Sequence, residues 1–421
     1  MNGENVMQGG TKATAPTAHT LRIGTATRLM LGLADRFETG RIRWILPDGT
    51  TRVTGKGADN GELNTFVTVR LHNDNVARKL FTGGNIGIAE AYMDGDYDVD
   101  DLPGFLTICA TNIAVLEATL QGKWWFRNAS RLVHWFNRNT ETGSRRNIHY
   151  HYDLGNSFYE RWLDPSMTYS SAEFLSPTED LRQAQGNKYE RLAERLEIGN
   201  DHHVLEIGCG WGGFAEHVAK SRGARVTALT ISDEQYSFAA QRIQREGLGE
   251  KVNIVKRDYR HEDGSYDRIA SIEMFEAVGE DYWPVFFSKM RDRLSDAGRA
   301  ALQIITIDDN HFDSYKSRPD FIQRYIFPGG MLPSPSKLRE QVTAAGLTVD
   351  TYETFGQSYA RTLAEWNDRF QASWPDIAAL NAGRHAFDTR FKRMWEYYLA
   401  YCEAGFRAGV IDVCRVALSK A

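Results

Sequence analysis

The stretch that decides the fold is VLEIGCGWGGFAEHVAK, residues 204–220. An apolar run ends near Glu206, passes through a glycine-rich turn and continues with the pattern of a helix. Glycine lets the backbone turn sharply and approach a ligand where a Cβ would collide. In a parallel α/β sheet, ligands bind outside the carboxyl end of such a strand. Gly208, Gly210 and Gly213 also fit the dinucleotide pattern GxGxxG, which is a weak signal alone. The stretch therefore predicts a cofactor loop.

The sequence on both sides of this loop alternates apolar strands with helices, as in a parallel α/β sheet. Five strands are predicted, at 203–208, 225–231, 252–258, 266–273 and 301–307. Helices are expected between them, at 211–221, 233–246 and 282–296, and a helix-rich stretch follows over 361–420. These segments predict one α/β domain over residues 148–421.

The N-terminal part of the chain has a different pattern. Residues 1–20 are small and polar, which predicts a disordered tail. Residues 21–120 indicate a small α+β domain, with two strands around the turn at 47–49, a strand at 66–72 and helices within 85–120.

Residues 121–147 form a basic and aromatic linker between the two predicted domains. Its basic side chains are Lys123, Arg127, Arg131, Arg138, Arg145 and Arg146. Trp124, Trp125, Phe126, Trp135 and Phe136 supply the aromatic bulk. Such a segment is either a helix packed between domains or an anchor in the headgroup region of a membrane, where basic and aromatic side chains are both favoured.

The composition excludes several classes of protein. The chain has 421 residues, of which 42% are hydrophobic and 25% charged, as in ordinary globular proteins. Its net charge of -5 argues against a globally basic nucleic-acid binder, so no nucleic-acid partner is expected. Four scattered cysteines fit neither a disulfide framework nor a CxxC metal site, and no metal is expected. No secretory signal or 18-residue apolar run is found, which favours a cytoplasmic location.

The motifs beyond the loop point to a family. The pattern E-x-G-x-G from Glu206 resembles the first motif of class I S-adenosylmethionine-dependent methyltransferases, which have a Rossmann-like fold. The next strand ends in Thr230-Ile231-Ser232 and lacks the acidic residue that usually binds ribose, which argues against a standard NAD site and a generic methyltransferase. Ser232 and Gln235 also fit a helix capping box.

Further segments resemble the cyclopropane-fatty-acid synthases and the related mycolic-acid methyltransferases. They are HYDLGNSFYERWLDPSMTYSSAEF (151–174), TALTISDEQ (227–235), SIEMFEAVG (271–279), YIFPGGMLPS (325–334) and SYARTLAEW (358–366), with YMDGDY (92–97) in the small domain. The resemblance covers nearly the whole chain after the tail. It implies S-adenosylmethionine as cofactor and methyl transfer to the cis double bond of a phospholipid acyl chain, which gives a carbocation that loses a proton as the ring closes.

The resemblance also implies a bound bicarbonate ion that serves as the base. In its cage, Glu276 and Tyr359 stand at the positions of the family's Glu and Tyr, and Ile305 at the position of a backbone amide. Two positions depart from the family, because Ser171 replaces a cysteine and Gln303 replaces a histidine. Since Gln303 can bind an anion but cannot carry a proton, these departures place the base step, and with it the product, in question.

The resemblance carries over the cofactor contacts residue by residue. The expected contacts are Tyr169 and Ser170 with the carboxylate and amine, Gly208 and Gly210 with the methionine moiety, Thr230 and Gln235 with the ribose, and Tyr259 and Arg260 with the adenine.

The expected activity is cyclopropane synthesis on an unsaturated phospholipid. Two alternatives are C-methylation without ring closure, when a hydride shift precedes proton loss, and an inert lipid-binding relative. The expected partners are phospholipid acyl chains at the inner face of the membrane, to which the protein would be peripheral. A homodimer is left open.

Overall fold

A seven-stranded sheet forms the centre of the larger unit. The computed structural model describes residues 23–57, 66–120, 154–318, 320–380 and 387–421, with only the backbone for 117–120. The predicted tail and the 121–147 linker lie outside the described residues. The strands of this sheet are β5 (His203–Ile207), β6 (Arg225–Thr230), β7 (Val252–Lys256), β8 (Tyr266–Ile272), β9 (Leu294–Ile307), β10 (Leu347–Thr354) and β11 (Ile411–Lys420).

The order of the strands is β10-β11-β9-β8-β5-β6-β7. β11 runs antiparallel to both of its neighbours, and the other recorded pairings are parallel. β5 lies inside the sheet between β8 and β6, where the chain reverses the direction in which it adds strands, and a ligand site is expected at that point. Four of its five residues are buried, as in a strand covered by helices on both faces. The predicted Rossmann-like α/β fold is confirmed.

Helices cover both faces, and several of them begin at a residue whose side chain caps the first turn. They span Asn156–Tyr159, Leu181–Arg195, Gly213–Ser221, Asp233–Arg245, Trp283–Arg293, Asp309–Ser317, Pro335–Ala344, Gly356–Ala378 and Thr389–Arg407, with a π-helical turn at Ile322–Ile326. Asp180 and Gln183 form a reciprocal capping box before Leu181. Ser232 accepts a hydrogen bond from the Gln235 backbone N–H, so the predicted N-cap is present.

The smaller N-terminal unit is built on a four-stranded sheet. Its strands are β1 (Arg41–Ile45), β2 (Thr51–Thr54), β3 (Phe66–Leu71) and β4 (Tyr97–Val99), in the order β2-β1-β3-β4. Helices Thr25–Ala34, Asn75–Met93, Leu102–Thr111 and Ile113–Leu120 accompany the sheet. The helix Asn75–Met93 is kinked at Gly84, where φ is +59° and ψ is −135°. The predicted α+β class of this unit is confirmed.

The helix Thr389–Arg407 joins the two units. Its Glu396 accepts a hydrogen bond from the Tyr92 hydroxyl at 3.1 Å, and its Arg393 contacts Asp98 at 2.9 Å. Tyr325 adds a hydrogen bond of 2.6 Å to Glu90. One hydrophobic cluster runs from the N-terminal unit into this helix, so the two units share a core.

The structure differs from the sequence prediction mainly near the C-terminus. Residues 361–420 were expected to be helix-rich, but the chain ends in strand β11. This strand lies between β9 and β10 and is buried on both faces, so its sequence lacks the alternation that reveals a half-exposed strand. The helix expected at 282–296 ends at Arg293, and β9 begins immediately after it.

Candidate active site

The cofactor loop connects β5 to the helix Gly213–Ser221, as predicted. Gly208 and Gly210 have φ angles of +83° and +53°, which only glycine adopts readily. A Cβ on Gly208 would lie 2.6 Å from Cγ of Met274. The loop can therefore take this path because glycine occupies these two positions.

Glu206 places a carboxyl group beneath this loop. Its side chain is 2% exposed, and no hydrogen-bond partner of its Oε2 atom is found in the described part of the chain. Burial raises the pKa of Glu206 to about 8. A buried carboxyl group with one unpartnered oxygen fits a cationic ligand, and S-adenosylmethionine carries both an ammonium and a sulfonium group. The site therefore fits the cofactor that the resemblance implies.

The other predicted cofactor residues lie around one cavity of about 960 Å³. Its lining includes Tyr169, Ser170, Glu206, Gly208, Gly210, Gly213, Thr230, Gln235, Tyr259 and Arg260. The structure thus brings together all the residues to which cofactor contacts were assigned. Their individual contacts remain predictions.

Hydrogen bonds within the protein determine which groups of Gln235 and Arg260 remain available to a ligand. Thr230 donates to the Gln235 side-chain oxygen at 2.9 Å, which leaves the Gln235 amide NH₂ as its donor group. Arg260 holds the carboxylate of Asp258 with bonds of 2.9 and 2.6 Å. Burial alone would raise the pKa of Asp258, but the contact with Arg260 lowers it. Asp258 lines the same cavity and was missed in the sequence, although it stands two residues after β7.

Glu273 occupies the centre of the predicted base site. It follows β8 directly and has a left-handed φ of +48°, which is costly for a residue with a side chain. Its Oε1 atom accepts hydrogen bonds from the Ser171 backbone N–H at 2.8 Å and from the Gln303 amide at 2.7 Å. Its Oε2 atom accepts one from the Tyr359 hydroxyl at 2.6 Å.

The predicted bicarbonate cage is therefore assembled, but a side chain fills it. Ser171, Gln303 and Tyr359, three of its predicted members, all donate to Glu273. The expectation that these donors surround a free anion is corrected, because the carboxylate of Glu273 lies among them. The sequence analysis missed Glu273. The signal available was a second glutamate three residues before Glu276, directly after a strand.

Glu276 lies near Glu273 and differs from it in hydrogen-bond partners. Its Oε1 atom accepts a hydrogen bond of 2.5 Å from the Ile305 backbone N–H, the amide that the resemblance assigned to the bicarbonate cage. Burial, and then the charge of Glu273, raise the pKa of Glu276 to about 8. Burial also raises the pKa of Glu273, but hydrogen bonds from Tyr359, Gln303 and Ser171 and the charge of Lys188 favour its ionised form. At neutral pH, Glu276 therefore holds a proton, whereas the donors around Glu273 favour the ionised form of that carboxyl group.

Lys188 is a second site residue that the sequence did not reveal. The side chain is fully buried, and its Nζ atom donates to the Ser170 hydroxyl at 2.7 Å. Burial lowers the pKa of Lys188 to about 7, and the charges of Glu273, Asp164 and Glu206 oppose this shift. Lys188 thus supports the cofactor side of the cavity through Ser170. Its place inside the helix Leu181–Arg195 carries no local sequence signal.

Aromatic rings form a wall of the cavity beside the carboxyl groups. The Tyr169 ring lies 5.3 Å from Trp366, and its hydroxyl shares a hydrogen bond of 2.7 Å with that of Tyr398. The Tyr359 ring stacks on Phe406 with 4.4 Å between centroids. Ring faces attract cations, and an apolar wall excludes water. The site can therefore protect a short-lived positive charge.

A comparison with known families decides the affiliation of the chain. The model of the mycolic acid cyclopropane synthetase family matches residues 139–416. The chain belongs to this family. The resemblance found in the sequence, and S-adenosylmethionine as the cofactor, are thereby confirmed.

Relatives in this family differ in the product that their names state. The tuberculostearic acid methyltransferase UfaA1 of Mycobacterium tuberculosis is 36% identical, over 95% of this chain and 90% of its own. The cyclopropane-fatty-acyl-phospholipid synthase of Escherichia coli is 34% identical, over 84% and 87%. The crystal structure of the mycolic acid cyclopropane synthase CmaA1 with SAH and CTAB is 29% identical, with a TM-score of 0.60, and covers 66% of this chain and 98% of its own. The chain is thus an S-adenosylmethionine-dependent methyltransferase similar to enzymes that modify lipid acyl chains.

Within the described ranges, no helix has the length and apolarity needed to cross a bilayer.

Proposed function

We propose that this protein methylates the double bond of an unsaturated phospholipid acyl chain and forms a methylene branch (C=CH₂) on the open chain, without closing a ring. The observation that carries the proposal is the carboxylate of Glu273, held by Ser171, Gln303 and Tyr359 where the family resemblance implies bicarbonate. In this proposal the base is the Glu273 side chain of the protein itself and not a bound bicarbonate ion.

S-adenosylmethionine supplies a methyl group on a positively charged sulfur, which is electrophilic enough for an alkene to attack. Once methylated, the acyl chain carries a cation on the neighbouring carbon. The charge of Glu273 and the aromatic wall around Tyr169 and Tyr359 stabilise this cation and keep water away. Without such a wall, water would trap the cation as an alcohol.

The proton then leaves to Glu273. A carboxylate has about four acceptor positions, of which three are used by the donors described above, so one on Oε2 remains. Burial raises the pKa of Glu273 and its three hydrogen bonds lower it, so its strength as a base does not by itself decide the product. Its single open acceptor position restricts proton removal to a proton that reaches that position. A cation that keeps its methyl protons until then can undergo a hydride shift from the methyl-bearing carbon to its neighbour. Loss of a methyl proton from the rearranged cation leaves a C=CH₂ group and needs no reductant.

Cyclopropane synthesis is the second candidate. The Escherichia coli relative bears that name. The same Oε2 position could take the methyl proton before any hydride shift, which would close the ring. The two products are isomers, so mass alone does not separate them.

The test uses purified full-length protein, S-adenosylmethionine with a ¹³C-labelled methyl group, and vesicles of a cis-monounsaturated anionic phospholipid. Proton and carbon NMR of the extracted lipid distinguish vinylidene protons from upfield ring protons. Labelled vinylidene carbon is the expected result, and a labelled ring would establish the second candidate instead. A lipid without label, for vesicles and for dispersed acyl thioesters alike, would refute both and favour an inert lipid-binding protein. Label only in the thioester would refute the phospholipid as carrier.

A further inference from the structure

The cavity of the active site extends beyond the methyltransferase unit. Besides the cofactor loop and Glu273, its lining includes the inner face of the N-terminal sheet, at Ile42, Trp44 and Val69. Two residues of the helix Leu102–Thr111, Phe105 and Cys109, also line this part.

These lining residues occupy core positions of the N-terminal unit. Ile42, Trp44 and Val69 are 1%, 4% and 0% exposed and alternate with outward-facing residues along their strands. In a small unit, the sheet and helices normally pack against each other without voids larger than a water molecule. Here they leave an apolar space between them. We call this space the N-terminal compartment, bounded by Ile42, Trp44, Val69, Phe105 and Cys109.

The helix Thr389–Arg407 connects the compartment to the reacting groups. Tyr397, Tyr401 and Cys402 on this helix line the same cavity between the N-terminal unit and the site of Glu273. Tyr397 is buried, and burial raises the pKa of Cys402, so these two side chains are uncharged, while the Tyr401 hydroxyl donates to the carboxyl group of Asp320 at 3.5 Å.

We infer that the N-terminal compartment binds the methyl-terminal part of the acyl chain, beyond the double bond. This inference rests on the proposed function. The ester end of a phospholipid must remain near water, whereas the methyl end has no polar group and is suited to a closed apolar space. Each buried methylene group contributes about fourfold in affinity, so the depth of the compartment selects how many carbons follow the double bond.

The first test is photocrosslinking of the full-length protein. The probe is a cis-monounsaturated phosphatidylglycerol with a diazirine at the methyl end of the acyl chain, and peptides are mapped by mass spectrometry. The expected label lies in peptides containing residues 41–46, 66–71 or 102–111, and unlabelled lipid competes with it. Label confined to residues 154–421 would overturn the inference and leave the proposed function intact. Absence of competed label anywhere would contradict both.

The second test changes the depth of the compartment. Cys109→Phe adds a ring to the cavity wall, whereas Leu29→Phe adds the same ring at a position that is 61% exposed in the same unit. With two lipids that differ by two carbons after the double bond, Cys109→Phe should lower the preference for the longer one about tenfold, while Leu29→Phe keeps the wild-type ratio. The ratio is measured in one mixture, so partial loss of folded protein does not affect it. An unchanged ratio in folded Cys109→Phe would refute the inference.

Discussion

Replacing Glu273 by glycine should turn this protein into an enzyme that depends on an added anion. The change removes the carboxylate but leaves three donors, from Ser171, Gln303 and Tyr359, around the vacated space. Glycine accepts the φ of +48° without penalty, so the backbone of the site keeps its course.

The size of the effect follows from the role assigned to Glu273. A positioned general base contributes about 10²–10⁴-fold to a rate, which corresponds to about 3–5 kcal/mol of the activation barrier. We therefore expect turnover to fall by about that factor in buffer freed of carbon dioxide. Bicarbonate should restore a large part of it, because the empty cage presents three donors to an anion of similar shape.

The assay measures transfer of the labelled methyl group to lipid vesicles at increasing bicarbonate concentration. Glu273→Gln is the matched control: its amide fills the same space without a charge, so it should lose activity and not respond to bicarbonate. S-adenosylmethionine binding, measured by calorimetry, should stay within about twofold in both variants, because the cofactor loop lies on a different strand. Wild-type turnover by Glu273→Gly without bicarbonate would refute the assignment of the base.

Two further predictions concern stability. In the folded protein the pKa of Glu276 is about 8, whereas a glutamate in the unfolded chain has a pKa near 4.5. Folding is therefore favoured by the bound proton, and this stabilisation is complete below pH 4.5. It is lost as the pH rises through about 8. Glu276→Gln should therefore reduce the decline of Tm across that interval, and an unchanged decline would contradict the raised pKa. Gly84→Ala should lower the free energy of unfolding by about 1–3 kcal/mol, because φ is +59° and a Cβ there meets no atom within 4 Å, so the cost is purely conformational. Gly83→Ala, with equally open space, is the control; equal denaturation midpoints for the two variants would contradict this reasoning.

The cofactor loop could be predicted from the sequence because its signals are local. A buried strand, a glycine-rich turn and an amphipathic helix follow one another within residues 204–220, and each is stabilised by near neighbours in the chain. The rule that ligands bind outside the carboxyl ends of parallel strands then placed the cofactor at this loop.

The role of Glu273 could not be predicted in the same way. Its partners Ser171, Gln303 and Tyr359 lie 102, 30 and 86 residues away in the chain, and no local pattern states that their donors converge. The family resemblance indicated the donors and an anion. Only the three-dimensional arrangement shows that a side chain of the protein already takes the place of that anion.

The helix Thr389–Arg407 also affects how the protein folds. Since one hydrophobic cluster includes residues of the N-terminal unit and of this helix, part of the core is shared between the two units. Removing residues 23–120 would expose to water the side of the helix that carries Arg393 and Glu396. The larger unit keeps two hydrophobic clusters of its own, but without the N-terminal unit it would present the shared cluster as an apolar surface open to water.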